Sequence, residues 1–172
     1  LQGPHATLRP LSHEHHDALC EASRDGELWQ LWYTSIPSPD GMRADIARRL
    51  DLRAAGSMLP FAVFDAAGRA VGMTTYMNID AVNKRVEIGS TWYGQSAQRT
   101  PLNTQCKRLL LGHAFEVLGC IAVEFRTHRL NTQSRRAIER LGAQWDGMLR
   151  SHSVASDGSL RDTAVYSVVA AE

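Results

Sequence analysis

The stretch VEIGSTWYGQSAQRTPLNTQCKRLLLGHAFEVL, residues 86–118, decides the fold of this chain. Residues 86–93 have the pattern of a β-strand and end in an aromatic pair. A short polar loop containing Arg99 follows, and apolar side chains at helical spacing predict a long helix over residues 104–118. Backbone N–H groups and the positive end of the helix dipole therefore meet at one place, which favours a phosphate. The stretch predicts a site for a phosphorylated cofactor.

Composition places the chain among ordinary globular proteins. Its 172 residues, 44% of them hydrophobic and 22% charged, predict one domain over residues 1–172. The formal net charge of +1 provides no basic excess for nucleic acid, and no apolar run approaches the roughly 20 residues that cross a bilayer. The start, LQGPHATLRP, lacks the apolar centre of a signal peptide. We therefore predict a cytoplasmic protein that binds neither nucleic acid nor membrane.

The cysteines and histidines do not suggest a metal site. Cys20, Cys106 and Cys120 have no metal-ligand spacing. Cys106 and Cys120 lie in apolar patterns typical of a helix and a strand, so we predict buried thiols there. His13 and His16 would share a helix face, but no third ligand is evident, and we interpret this segment as a polar helix start. The sequence predicts no bound metal.

Strand and helix patterns alternate along the rest of the chain. Ser12, with His15 at the third helical position, is typical of a helix start, and the turn Ser156-Asp157-Gly158 connects the last two strands. The helix over residues 104–118 should bury Cys106, Leu109, Leu110, His113, Ala114 and Val117. The predicted strands are residues 6–11, 59–65, 70–79, 86–93, 120–127, 144–151 and 162–169, and the predicted helices are residues 12–23, 43–55, 104–118 and 131–141.

This element order, β-α-α-β-β-β-α-β-α-β-β, predicts an α+β fold with a mostly antiparallel mixed sheet. The strand–helix–strand crossover over residues 86–127 should make its two strands parallel, because such a connection returns the chain in the same direction.

With this order in place, the chain resembles the GNAT superfamily of acetyl-CoA-dependent N-acetyltransferases. It is most similar to the RimJ/RimL-like branch, related to enzymes that acetylate ribosomal-protein N-termini. The resemblance is carried by IGSTWYGQSAQRT (88–100), NTQCKRLLLGHAFEVLGCIAVEF (103–125) and NTQSRRAIERLGAQWDGMLR (131–150). It implies a GNAT-type sheet with flanking helices and a transferase that uses acetyl-CoA and no metal.

The phosphate loop departs from the family pattern. Relatives have Gln/Arg-x-x-Gly-x-Gly/Ala, whereas residues 98–103 are QRTPLN. Pro101 removes one backbone donor and holds φ at about −65°, but proline also suits the first position of a helix capped by Thr100. The resemblance still implies phosphate binding by this loop, from Gln98 through Thr100 and by the N–H groups of Arg99, Leu102, Asn103 and Thr104.

The resemblance also implies roles in holding the rest of the cofactor. The pantetheine arm would pair with the backbone of Thr91, Trp92 and Tyr93, and the N–H of Trp92 would polarise the thioester carbonyl. Asn131 would bind the pantetheine, and Ser134 would stabilise or protonate the departing thiolate. From the residues alone, Asn131 is equally a helix cap and Ser134 a small packing residue, and both interpretations stay open.

A catalytic base is useful because an amine with a pKa of about 10 is mostly protonated at neutral pH. Glu87 lies on the cofactor strand, where some relatives have an acidic base. The alternative is a solvated or salt-bridged carboxylate, which is also our interpretation of Glu124. Four helical cations are interpreted as parts of solvated helix faces: Lys107, Arg108, Arg135 and Arg136. In the alternative interpretation, Arg135 and Arg136 would reach the 3′-phosphate of the cofactor.

The acceptor pocket is predicted between the first two helices. Trp29, Trp32 and Tyr33 lie in this segment, and their rings would enclose a cationic amine. Their spacing fits a buried helical face equally well.

The predicted function is acetyl transfer from acetyl-CoA to a primary amine of a small molecule or of a peptide or protein N-terminus, by direct attack in a ternary complex. The alternative is a catalytically weak or inactive acyl-CoA-binding module of the same fold. Relatives in this branch are often dimers, so the resemblance leaves a homodimer open.

Overall fold

The computed structural model describes residues 1–155 and 157–172. Within them the chain forms four α-helices and a seven-stranded sheet. The strands are β1 (Ala6–Pro10), β2 (Met58–Asp65), β3 (Ala70–Asp80), β4 (Arg85–Tyr93), β5 (Ala122–His128), β6 (Gln144–Val154) and β7 (Leu160–Val169), and the helices are α1 (His16–Arg24), α2 (Met42–Ala54), α3 (Leu102–Gly112) and α4 (Thr132–Glu139). Ser156, in the predicted last turn, lies outside the described residues.

The sheet confirms the predicted α+β topology. Its strand order is β1-β2-β3-β4-β5-β7-β6, and neighbouring strands are antiparallel except for β4 and β5. Those two strands flank the crossover through α3 and are parallel. The order of elements and the parallel pair are therefore as predicted.

Two cores cover the two faces of the sheet. Side chains of α3, including Cys106 and Leu110, pack with Tyr76, Ile88 and Phe125. Side chains of α1 and α2 pack on the other face, and that core is made of Leu11, Leu19, Cys20, Ala22, Met42, Ile46, Ala62, Phe64, Met73 and Trp92. Because successive side chains of a strand alternate between faces, β2, β3 and β4 contribute to both cores.

The ends of the helices follow the local signals with one exception. A 3₁₀ turn, His13–His15, precedes α1, and Ser12 and His15 form the reciprocal cap expected there. Helix α3 begins at Leu102, and Thr100 Oγ1 accepts from Leu102 N at 3.3 Å. After Gly112 the helix widens into a π-helical turn, His113–Val117. This turn adds a residue and rotates the following side chains, so the predicted burial of Val117 is wrong and its side chain is exposed.

A β-bulge interrupts β4 next to the predicted cofactor segment. Met73 is opposite Trp92 and Thr75 is opposite Gly89, so Ser90 and Thr91 together face one residue of β3. Ser90 has a φ of 46°. The guanidinium of Arg49 on α2 donates to Thr75 Oγ1 at 2.8 Å and to Ser90 O at 3.4 Å. Helix α2 thereby holds the bulge in place.

Three further properties of the described residues concern thiols, metal ligands and membrane spans. The three cysteines are free and buried, which confirms the prediction for Cys106 and Cys120. No group of three or more His, Cys, Asp or Glu side chains that could hold a metal ion is present in that part of the chain. No described helix has the length and apolar character needed to span a membrane.

Candidate active site

The candidate site is a cleft between β4 and β5. Residues 85–87 pair with residues 122–124, and beyond these the two strands have no further paired residues in the described chain. A cavity of about 620 Å³ lies there and is lined by residues 88–93 of β4 and 125–128 of β5. An open strand edge offers backbone donors and acceptors to an extended ligand. The cleft therefore suits a chain-like molecule.

The pairing of β4 with β3 determines which amides face this cleft. Gly94 N donates to Val71 O at 2.9 Å, and Trp92 is opposite Met73 in the same register. In an antiparallel ladder the amides of alternate residues point to the same edge. The N–H of Trp92 therefore points toward β3, unlike the sequence-based expectation, while the amides of Thr91 and Tyr93 point toward the cleft. The ring of Trp92 is buried in the core with α1 and α2.

The N-terminus of α3 forms one end of the cavity. Gln98, Arg99 and Asn103 line it, and Arg99 has a φ of 57°. Gln105 N donates to Pro101 O at 2.9 Å, so the N–H groups of residues 103 and 104 precede the intrahelical bonds and are available to an anion. Three predicted loop residues do not line the cavity: Thr100, Leu102 and Thr104.

Lys107 is a buried cation in the cleft. Its side chain lies on α3, is 7% exposed as a residue, and donates from Nζ to Thr91 Oγ1 at 2.9 Å. Burial lowers its pKa to about 8. The predicted solvated position is wrong. The prediction did not use one feature of the sequence: Lys107 lies three residues before Leu110, and residues at this spacing share a helix face.

Glu87 is buried on the α1/α2 side of the cavity. It is 5% exposed, and its carboxylate accepts from Asn78 Nδ2 at 2.7 Å and lies 3.6 Å from Arg126 Nε. Burial raises the pKa of Glu87 against the opposing effects of Asn78 and Arg126. Of the alternative interpretation, a solvated or salt-bridged carboxylate, the solvated position is wrong, and the salt bridge is present with Arg126. Glu124 instead pairs with Arg85 and Arg126 and does not line the cavity.

Helix α4 forms the wall opposite α3. Asn131 Oδ1 accepts from Ser134 N at 3.0 Å, which confirms the helix-cap interpretation. Asn131 and Ser134 also line the cavity. Arg135 donates to Tyr166 Oη at 2.8 Å and lies over the Trp145 ring, so its guanidinium makes these contacts outside the cavity.

The three predicted acceptor aromatics have different positions. The segment between α1 and α2 forms a 3₁₀ turn, Leu28–Gln30, and not an α-helix. The interpretation of these three aromatics as a buried helical face is therefore wrong. Tyr33 lines the cavity, and Trp32 is exposed and packs edge-on against Tyr33 and His128. Trp29 does not line the cavity.

The family assignment agrees with this geometry. Residues 5–144 match the Acetyltransferase (GNAT) domain, and the chain belongs to that family. It is an acetyltransferase, as the sequence predicted. A crystal structure of a GCN5-related N-acetyltransferase from Brucella melitensis is 34% identical, with a TM-score of 0.84, and the match covers 99% of this chain and 78% of that one.

Two proteins from bacilli are similar to this chain. Uncharacterized N-acetyltransferase p20 of Bacillus licheniformis is 27% identical over 170 residues, which are 96% of this chain and 93% of that protein. Putative ribosomal N-acetyltransferase YdaF of Bacillus subtilis strain 168 is 30% identical over 105 residues, 61% of this chain and 56% of that protein. The name of YdaF supports the RimJ/RimL-like assignment.

RimL, the ribosomal L7/L12 alpha-N-protein acetyltransferase, shares the fold. Its structure in complex with coenzyme A has a TM-score of 0.81 at 18% identity and covers 99% of this chain and 97% of that one.

Proposed function

We propose that the protein transfers the acetyl group of acetyl-CoA to a primary amine by direct attack while both substrates are bound. The observation that carries this proposal is the open edge of β4, which lies between the N-terminus of α3 and the buried carboxylate of Glu87. The fold shared with CoA-bound RimL supports the choice of acyl donor. The name of YdaF supports a peptide or protein N-terminus as one acceptor, beside small-molecule amines.

The residues present fit coenzyme A. Arg99 and the N–H groups of residues 103 and 104 would hold the diphosphate, with one donor fewer than in relatives because of Pro101. The amides of Thr91 and Tyr93 would pair with the pantetheine arm, and Asn131 would contact it from α4. Acetyl-CoA supplies the activated acyl group.

Three groups would then share the chemistry. Glu87 takes a proton from the acceptor amine, directly or through a water molecule, and its raised pKa suits this transfer better than that of an ordinary glutamate. The amide of Thr91, rather than that of Trp92, stabilises the negative charge that develops on the carbonyl oxygen. The hydroxyl of Ser134 stabilises the departing thiolate by donating a hydrogen bond to its sulfur, and the thiolate takes up its proton from solvent. Holding the two reactants together supplies several kcal/mol of the barrier.

The test combines thiol release with calorimetry. Wild-type protein with acetyl-CoA and a panel of amines and peptides should release thiol only when an acceptor is present. Glu87→Gln should lower kcat by about 10²- to 10⁴-fold, and Ser134→Ala should lower it with little change in CoA affinity. Glu116→Gln is the control, because this carboxylate is exposed and does not line the cavity.

Two results would contradict the proposal. Heat on CoA titration without thiol release from any acceptor would identify an acyl-CoA-binding module. No heat from folded protein would exclude the cofactor assignment itself.

A further inference from the structure

One face of the cavity carries a cation, Arg161, on which the carboxylate of Glu87 acts only from beyond salt-bridge distance. Arg161 of β7 is half-buried and lines the cavity. Within residues 1–155 and 157–172, no Asp or Glu lies within salt-bridge distance of it. Asp162 is 3.5 Å from Arg129, and Glu87 is 3.6 Å from Arg126. Desolvation of Arg161 without a paired anion is unfavourable, so this position favours an anionic ligand.

The strand register places Arg161 on the same side of the sheet as Glu87. Ala164 and Tyr166 of β7 belong to the core with α3. Because side chains alternate along a strand, Arg161 and Thr163 face the opposite side, where α1 and α2 lie. Arg161 therefore faces away from the N-terminus of α3, which is the proposed diphosphate site, and toward the acceptor side.

The neighbours of Arg161 add hydrogen-bond donors to this wall. His128 Nδ1 accepts from Leu130 N at 3.0 Å, so the proton of the neutral ring is on Nε2. Burial and the charges of Arg161 and Arg129 lower the pKa of His128, which keeps the ring neutral. His152 Nδ1 lies 3.0 Å from Thr163 Oγ1 at the same wall. A wall with a guanidinium and an N–H donor matches a carboxylate, whose oxygens only accept.

We propose that the acceptor is a primary amine that also carries a carboxylate, and that Arg161 binds this carboxylate while Glu87 receives the amino group. This inference rests on the proposed function and names its substrate class. Arg161 is a specificity residue, since it contacts the acceptor at a distance from the reacting nitrogen. The carboxylate can belong to a free amino acid or to an acidic side chain near a peptide N-terminus.

Matched acceptor pairs test the inference by steady-state kinetics. The first pair is phenylalanine and phenylalaninamide, compared at equal concentrations of free amine because their amine pKa values differ. The second pair is Ser-Glu-Ala-amide and Ser-Gln-Ala-amide, which distinguishes a side-chain carboxylate from that of a free amino acid. Wild-type enzyme should prefer the acid in at least one pair by about 10- to 100-fold in kcat/KM, the range of a charge-assisted hydrogen bond.

Substitutions assign this preference to one residue. Arg161→Gln should abolish the preference between acid and uncharged acceptor, mainly by raising KM for the acid. Arg161→Lys should keep part of it, because a lysine retains the charge but not the planar fork. Arg150→Gln is the control, since Arg150 is exposed on β6 and does not line this cavity.

The outcomes separate this inference from the proposed function. Equal kcat/KM for acid and uncharged acceptors in both pairs, or a preference that survives in Arg161→Gln, overturns the inference while acetyl transfer stands. Absence of thiol release with every acceptor, neutral amines included, overturns both.

Discussion

Replacing Arg49 by Met tests whether a buried guanidinium holds the β4 bulge in place. The Arg49 side chain is 2% exposed, and its Nε lies 2.7 Å from Asp45 Oδ2. Arg48 Nη2 lies at the same 2.7 Å from Asp45 Oδ1, but its side chain is 54% exposed. Breaking a buried pair typically costs about 3–5 kcal/mol, and we expect about 3 kcal/mol for Arg49→Met because Asp45 keeps Arg48. Arg48→Met, the matched control, should cost less than about 1 kcal/mol.

Urea and thermal unfolding of the wild type and both variants measure this difference. For a chain of this size, about 3 kcal/mol corresponds to a decrease in Tm of roughly 6–12 °C, and the control should change by less than about 4 °C. Because Arg49 also donates to the carbonyl of Ser90, folded Arg49→Met should lose roughly tenfold or more in acetyl transfer through misplaced cleft amides. Similar losses of stability in the two variants would refute the argument from burial.

Three further predictions follow from single residues. A Cβ on Gly72 would lie 2.0 Å from Trp92 O, so Gly72→Ala should lower the free energy of unfolding by about 1–3 kcal/mol or more, whereas Gly112→Ala, with no atom within 4 Å, should not lower it. Burial raises the pKa of Glu87, so kcat/KM should fall on acidification at a higher pH than for an ordinary glutamate, and Glu87→Gln should lose this limb of the pH–rate profile. The pKa of Lys107 is lowered from 10.5 to about 8, so between these values the unfolded chain binds more protons and this residue makes the free energy of unfolding increase with pH. Lys107→Met should lack that increase in chemical unfolding at pH 8 and 10, and the exposed Lys84→Met should keep it.

Local signals in the sequence predicted much of the fold. Ser12 with His15 marked the start of the first helix, Asn131 capped α4, and alternating residues marked the strands, because each signal depends on residues within a few positions of one another. The exception was Val117, since a π-helical turn changes the spacing on which the prediction depended.

The candidate site was predicted in part. Thr91, Tyr93, Gln98, Arg99, Asn103, Asn131 and Ser134 were predicted from the sequence and line the cavity. Arg49, Lys107 and Arg161 were missed, because a charged residue on a helix or strand is usually solvated. Their positions depend on which elements cover them.

The sequence by itself determined the order of strands and helices and the parallel crossover, because these follow from the spacing of apolar residues and from caps. Only the tertiary structure decided which charges are buried and which amides face the cleft. Those properties arise from contacts across the sheet, such as that of Arg49 with Ser90, 41 residues away, and from the divergence of β4 and β5 beyond Glu87. Burial and strand pairing are properties of the assembled layers, so no local pattern encodes them.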